Sequence, residues 1–381
     1  MSTVIRPVLL GLALVVLAGC SSMEADPPAS EAASLPLLAP GFTLGTTFYG
    51  SADPPPTGTP ERALLDSMIT RGLGGFTYYV DWPDLEPSPG RYTLGAFEAT
   101  LAALRTLGVQ PMVNLTVGDI DAYNLPPALS DGAGGLAEGV ALDDPAVLDR
   151  FGRLLDRIVP ILLAHDVFFL GVGNEVDDRL DGDFASERDA YVRFVEAARE
   201  RVHTEAPRLT VGVTLTGTAV RVRSSTFRAL RRVSDAIAFN HAPIQPDFFV
   251  RDREAVQPDF REILQAYGDG PILIQELTCP SAASMDASAA WQRECFEQLF
   301  EVIRTTPRVR FASIFTFQDL DPSTCTAVRD VIFGDELDDL PDDPAQRLSD
   351  YLCALGVVAP DGTPKPAYDV VLEAAATLPA P

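Results

Sequence analysis

From Gly41 onward, short apolar runs alternate with longer stretches in which apolar residues recur every three or four positions. Runs of the first kind read as buried parallel strands, and the longer stretches as amphipathic helices packed over them. Eight candidate strands emerge, at 42–49, 75–81, 110–115, 167–173, 209–215, 236–240, 272–275 and 309–315. Helical patterns at 61–71, 97–107, 146–164, 189–203, 259–266 and 289–303 lie between them, the second closed by Gly108, a residue suited to a left-handed C-cap. Eight β/α units in one domain predict an α/β fold of the (β/α)8 or TIM-barrel type. An open doubly wound sheet is the alternative, but no Gly-x-Gly-x-x-Gly turn follows an early strand. Connections after the strands are long at 116–143, 177–187, 242–256, 277–288 and 318–343, which predicts a built-up cleft on the catalytic face of the barrel.

The N-terminal pattern is of another kind. Arg6 precedes an apolar run from Val8 to Leu17 that is too short for a permanent membrane span, so 1–19 reads as a secretory signal peptide. Leu17-Ala18-Gly19-Cys20 resembles the bacterial lipobox. The resemblance implies a lipid such as palmitate on Cys20, and an envelope protein anchored to its membrane rather than spanning it. Residues 20–40, rich in Ala, Pro and Ser, are expected to form a flexible tether, with the barrel domain at 41–381.

Composition narrows the function. With 46% hydrophobic residues in 381, the chain can bury one large core. A net charge of −25 argues against nucleic acid as a partner, since the phosphate backbone would be repelled. Besides Cys20 there are four cysteines, Cys279, Cys295, Cys325 and Cys353, which predict two disulfides in an oxidising compartment. Three pairings are open to them; adjacency of the last two loops favours Cys279–Cys325 with Cys295–Cys353. The absence of Cys-x-x-Cys and the presence of only three histidines argue against a metal centre. The acidic stretch 177–183 lacks EF-hand spacing and reads as a solvated turn.

The candidate chemistry sits at two strand ends. Val167-Phe168-Phe169-Leu170-Gly171-Val172-Gly173 runs into Asn174-Glu175, and Pro271-Ile272-Leu273-Ile274-Gln275 runs into Glu276. Two buried strands that each deliver a glutamate to one barrel face suggest the carboxylate pair required for glycosidic-bond hydrolysis. Either glutamate could instead pair with an arginine at the barrel mouth.

Order and spacing then carry a resemblance. Asn174-Glu175 on the fourth strand and Glu276 on the seventh, Trp82-Pro83-Asp84-Leu85-Glu86-Pro87-Ser88-Pro89-Gly90-Arg91-Tyr92 after the second, and Asp361-Gly362-Thr363-Pro364-Lys365-Pro366-Ala367-Tyr368 near the end resemble the retaining glycoside hydrolases of the large barrel clan. The resemblance implies Glu175 as general acid/base, Glu276 as nucleophile and Asn174 as partner of the sugar 2-hydroxyl. It implies a retaining glycosidase acting on a β-linked oligo- or polysaccharide, with no cofactor; a monomer is the expected state, which the residues themselves leave open. An arginine often found on strand two, a tyrosine on strand six and a tryptophan ending strand eight have no counterpart here. Asn240-His241 stands at the end of strand six, so His241 is a candidate donor to Glu276 or substrate. Trp82 is a candidate for stacking on sugar, and Tyr78 and Phe317 are further aromatic candidates; Tyr78 and Tyr79 alternate, so at most one of them faces inward. A catalytically degenerate barrel that only binds glycan at the envelope is the competing reading.

Overall fold

The computed structural model describes residues 35–48, 54–333 and 342–378, without side chains at 328–333 and 342. Cys20, the signal segment and most of the tether lie outside the described residues. Eight parallel strands follow one another around a closed barrel: β1 (Thr43–Thr46), β2 (Gly75–Val80), β3 (Gln110–Asp119), β4 (Phe169–Asn174), β5 (Thr210–Thr216), β6 (Ala236–His241), β7 (Ile272–Leu277) and β8 (Val309–Ile314). Each pairs with its sequence neighbours, and β1 with β8 closes the ring. The fold is therefore the (β/α)8 barrel expected from the pattern. Helices start where the sequence supplies caps. Thr59, Ser224 and Ser288 each accept a backbone N–H of the following first turn, and Gly108 ends Gly95–Leu107 at φ 79°.

The inside of the barrel is split into two layers. Its lower half is apolar and holds Met112, Phe169, Ala238, Leu273 and Phe311. Glycines make room where the interior is crowded: a Cβ at Gly75 would lie 2.5 Å from the Phe311 ring, and one at Gly212 only 1.9 Å from the backbone oxygen of Ala236 on the next strand. Leu35 and Leu38 are buried against this layer and cover the barrel floor. Arg208 donates to Pro36 O and Gln110 to Leu37 O, holding the segment there. The folded domain thus begins by Leu35, earlier than the expected end of the tether at residue 40, because two leucines have apolar surface to cover.

Three further expectations need correction. The disulfides are Cys279–Cys295 and Cys325–Cys353. Cys279 follows β7 and Cys295 lies in the next helix, Ala289–Arg304, which Gln292 ties back to Cys279 O at 2.9 Å; the loop closes on its own helix rather than on its neighbour. Residues 177–183 are a solvated turn only at their end, where 181–183 are exposed: Asp177–Asp181 is helical, and Asp177 is buried and accepts from Thr216 N (2.8 Å) and Thr216 Oγ1 (2.7 Å). Finally, 318–343 includes the helix Pro322–Phe333, and two helices unmarked in the pattern, Gly217–Val222 and Ser225–Val233, join β5 to β6.

Candidate active site

Above the apolar layer the barrel interior turns polar. Asn114 Nδ2 donates to Gln275 Oε1 at 2.7 Å and to Thr214 Oγ1 at 3.2 Å, and Thr214 Oγ1 donates to the same Gln275 oxygen at 2.6 Å. Gln275 Nε2 then donates to Asn174 Oδ1 at 2.7 Å, which also accepts from Asn240 Nδ2 at 3.1 Å. The network is buried and leaves each amide little freedom, so it acts as a rigid floor for whatever lies above it.

Glu175 and Glu276 lie at that level, both half-buried. Glu175 directly follows β4, with Gly173 at φ 113° and Glu175 itself at φ 48°. A left-handed glutamate is sterically unfavourable and persists only where its surroundings hold it. Here Tyr191 donates to Val172 O at 2.6 Å and fills the space a Cβ at Gly173 would need, 2.1 Å from the Tyr191 oxygen. Glu276 follows a register shift in β7, opposite Asn240, and such irregularities re-aim side chains near sites. Neither glutamate forms an ion pair among the described residues, so the arginine-paired reading fails.

The electrostatics separate the two groups. Burial pushes Glu276 up to about 7; hydrogen bonds from Tyr79 and Asn240 oppose that rise, and Asp119 adds to it. Glu175 is held well above the usual carboxylate range by burial first, then by the charges of Glu276, Asp178 and Asp177. Tyr79 Oη donates to Glu276 Oε1 at 2.6 Å, whereas Glu175 has only the weaker help of Asn240 against its burial. Glu276 is therefore the member of the pair that ionises, and its charge keeps the proton on Glu175.

Several side chains stand elsewhere than the sequence suggested. On β2, Gly75 and Thr77 face inward, so Tyr79 does too, while Tyr78 stacks on Phe97 of the outer helix layer at 5.8 Å between ring centroids. Tyr78 is thus a packing residue, and Tyr79 is the site residue that was passed over. The same phase on β6 places Ala236, Ala238 and Asn240 inside and His241 outside, stacked on Phe260 at 4.8 Å. His241 is buried and held neutral, its pKa lowered to about 3 by burial and then by Arg221 and Arg251; it reaches neither Glu276 nor the cleft.

Trp82 is fully buried between Phe151 and Phe194, with Nε1 donating to Glu86 at 2.9 Å. Glu86 also accepts from Gly90 N and pairs with Arg150 at 3.1 Å, so the 82–92 segment is anchored to the helix Pro145–Ala164 and offers no ring to a sugar. Phe317 is buried against Phe48; its N–H donates to Thr47 O, and its carbonyl accepts from Val357 and Val358. It fastens the C-terminal segment to the barrel. Phe315, at the end of β8, is the aromatic that approaches the site, edge-on to Tyr79 at 6.5 Å.

These placements give three expected outcomes. Tyr79→Phe removes a donor to a carboxylate, so kcat/KM should fall roughly 10- to 100-fold. The acidic limb of the pH–rate profile should also move to higher pH, because the lost bond was lowering the Glu276 pKa. Trp82→Phe should lower the unfolding midpoint and leave KM unchanged in the folded enzyme, with Trp82→Ala costing about 3–5 kcal/mol of stability.

The third outcome concerns stability and pH. A carboxyl whose folded pKa exceeds its unfolded value destabilises the fold once ionised. The cost is absent below the unfolded pKa and complete above the folded one. Glu276→Gln should therefore gain stability over wild type between pH 5 and pH 8, about 1–3 kcal/mol at the upper end after allowance for partial exposure, read as the difference in melting temperature across that range.

No family model matches the chain, and no curated protein matches it either. Solved structures do. The exo-β-1,4-mannosidase Op5Man5 from Opitutaceae bacterium strain TAV5 aligns with a TM-score of 0.63 and 18% identity over 89% of this chain, which spans 60% of that one. A GH5_18 point variant from Streptomyces cattleya in complex with Manβ1-4GlcNAc gives 0.65 and 17%, covering 90% and 83% of the two chains. GH5_18 from Bifidobacterium longum subsp. longum ATCC 55813 gives 0.67 and 14%, covering 90% and 81%. At these identities the likeness shows a shared barrel fold.

Proposed function

We propose that the protein is a retaining glycoside hydrolase that cuts a β-linked oligo- or polysaccharide by a two-glutamate double displacement. The observation that carries the reading is the asymmetric pair: Tyr79 donates to Glu276 at 2.6 Å, which favours its ionised form, while burial and the neighbouring charges favour the protonated form of Glu175 beside it. Those are the states a nucleophile and a general acid need before reaction. Asn240 bonds Asn174 at 3.1 Å and stands opposite Glu276 in the strand pairing, so it lies between the two strand ends whose carboxyl groups retention would require at ~5 Å. Solved structures of the same fold include an exo-β-1,4-mannosidase and a protein bound to Manβ1-4GlcNAc, which makes β-mannosides the first substrates to try.

In the first step the Glu276 carboxylate attacks the anomeric carbon while Glu175 protonates the departing oxygen. In the second, Glu175, now a carboxylate, deprotonates the water that releases the sugar from Glu276. A barrel that only binds glycan would leave two half-buried, un-ion-paired carboxyls without a purpose. For the leader, the reading remains a lipid on Cys20 that anchors the enzyme to an envelope membrane. Proton NMR of the first-formed product tests the chemistry. β-configured hemiacetal from a β-glycoside supports retention, and the α-anomer appearing first would refute it.

A further inference from the structure

The site holds a third carboxylate that the two-glutamate scheme does not use. Asp119 closes β3 and is the cross-strand partner of Asn174, whose Nδ2 donates to Asp119 Oδ1 at 2.9 Å. Its other oxygen has no partner among the described residues, and the side chain is half-buried, not sunk in the core. Asn174 precedes Glu175 and accepts from Gln275, the residue before Glu276, so its bond to Asp119 sets that carboxylate beside the strand ends that carry both glutamates; the Asp119 charge also raises the pKa of Glu276 and Tyr79. Asp81, at the end of β2, lies beside it, engaged by Thr116 Oγ1 and by Asn124 Nδ2 at 3.2 Å.

Among the described side chains, no cation pairs with this charge. Arg179 on the neighbouring turn is taken by Glu187 at 2.9 Å and lies between the rings of Tyr123 and Phe184. Arg251 pairs with Asp259 at 3.5 Å, and Lys365 with Asp319 at 2.7 Å. No arginine, lysine or histidine forms an ion pair with Asp119, Glu175 or Glu276 among the described residues. A sugar carboxylate entering this pocket would meet Asp119 and Glu276, neither of them ion-paired among the described residues, and at close range in a partly dry site like charges repel strongly. Hydroxyl or ammonium donors, in contrast, would find an oxygen already oriented by Asn174.

Resting on the glycosidase reading, we propose that Asp119 is a substrate-binding residue that accepts from a hydroxyl or ammonium of the glycone, and that the enzyme takes uncharged or amino sugars and rejects uronates. Asp119 contributes both parts of that selectivity, by what it binds and by what it repels. Asparagine at 119 would keep an acceptor for Asn174 and remove only the charge, so the fold is retained while the recognition changes.

The test uses wild type and Asp119→Asn with p-nitrophenyl β-glucoside, β-mannoside, 2-amino-2-deoxy-β-glucoside and β-glucuronide. The same probes are scored for binding to Glu276→Gln, with and without Asp119→Asn, by saturation-transfer NMR. The best uncharged or amino probe should exceed the glucuronide by about 100-fold or more in kcat/KM, and Asp119→Asn should cut the preferred rate about 10- to 100-fold while narrowing that gap. A glucuronide cleaved as well as the best neutral probe, or a gap unmoved by Asp119→Asn, overturns the proposal. If no probe is cleaved by wild type, the hydrolase reading fails on its own. The binding series then still decides the charge preference: discrimination against glucuronide that Asp119→Asn relaxes supports it, and equal or absent discrimination overturns it.

Discussion

Glu276→Gln is expected to abolish turnover, with kcat falling on the order of 10⁴- to 10⁶-fold, because the covalent intermediate loses its only acceptor atom. The amide is close to isosteric, so Tyr79 and Asn240 keep a partner and the fold stays intact. KM for an intact substrate should change far less than kcat, since what is lost is an interaction made as the bond to the anomeric carbon forms. Steady-state kinetics on purified protein, with melting temperature as the folding control, checks this. The variant should be at least as stable as wild type at pH 8, which separates loss of chemistry from loss of structure. An enzyme that kept a tenth of its rate would have its nucleophile elsewhere.

The second large effect belongs to Glu175. Its replacement by alanine is expected to reduce kcat/KM by about 10²- to 10⁴-fold on substrates with a sugar leaving group, which need a proton to depart. On a dinitrophenyl glycoside, whose leaving group departs unprotonated, the first step should be spared and the covalent intermediate should accumulate. Azide, a nucleophile that needs no general base, should then restore turnover and yield a β-glycosyl azide. That split between leaving groups is a signature no merely structural role for Glu175 would produce. Equal losses on both substrate types would remove Glu175 from the acid/base role.

How far this site could be read in advance depends on what kind of pattern recorded each feature. Strand–helix alternation is written in side-chain polarity every few residues, so the barrel was visible and the strand limits shifted by only a few positions. Both glutamates stood out because each follows an apolar run directly. The side chains around them were obscured by the two-residue period of strands, where an error of one position exchanges inside for outside. That ambiguity separates Tyr78 from Tyr79 and His241 from Asn240. A usable signal was present: Gly75 and Thr77 on β2, and Ala236 and Ala238 on β6, are the small residues that a crowded barrel interior demands, and they mark the inward phase.

Trp82 failed for a different reason. A loop tryptophan beside prolines suggested exposure, yet Glu86, four residues on, captures its indole N–H while Arg150, far along the chain, pairs with that carboxylate. Only tertiary structure brings Arg150 there. The buried Asp177 was hidden similarly, since its partner Thr216 lies at the end of another strand. Asp119 carried no local mark at all; its importance comes from the cross-strand pairing with Asn174.

The central claim is that Glu276 attacks the anomeric carbon and carries the sugar through the reaction. Incubation with activated 2-deoxy-2-fluoro β-glycosides slows hydrolysis of the intermediate and lets intact mass and peptide mapping locate it. The account predicts a single sugar adduct on the peptide containing Glu276, absent in Glu276→Gln. An adduct on Glu175 or Asp119, or turnover of the native substrate with inversion and no adduct from the matching fluoro sugar, would contradict it.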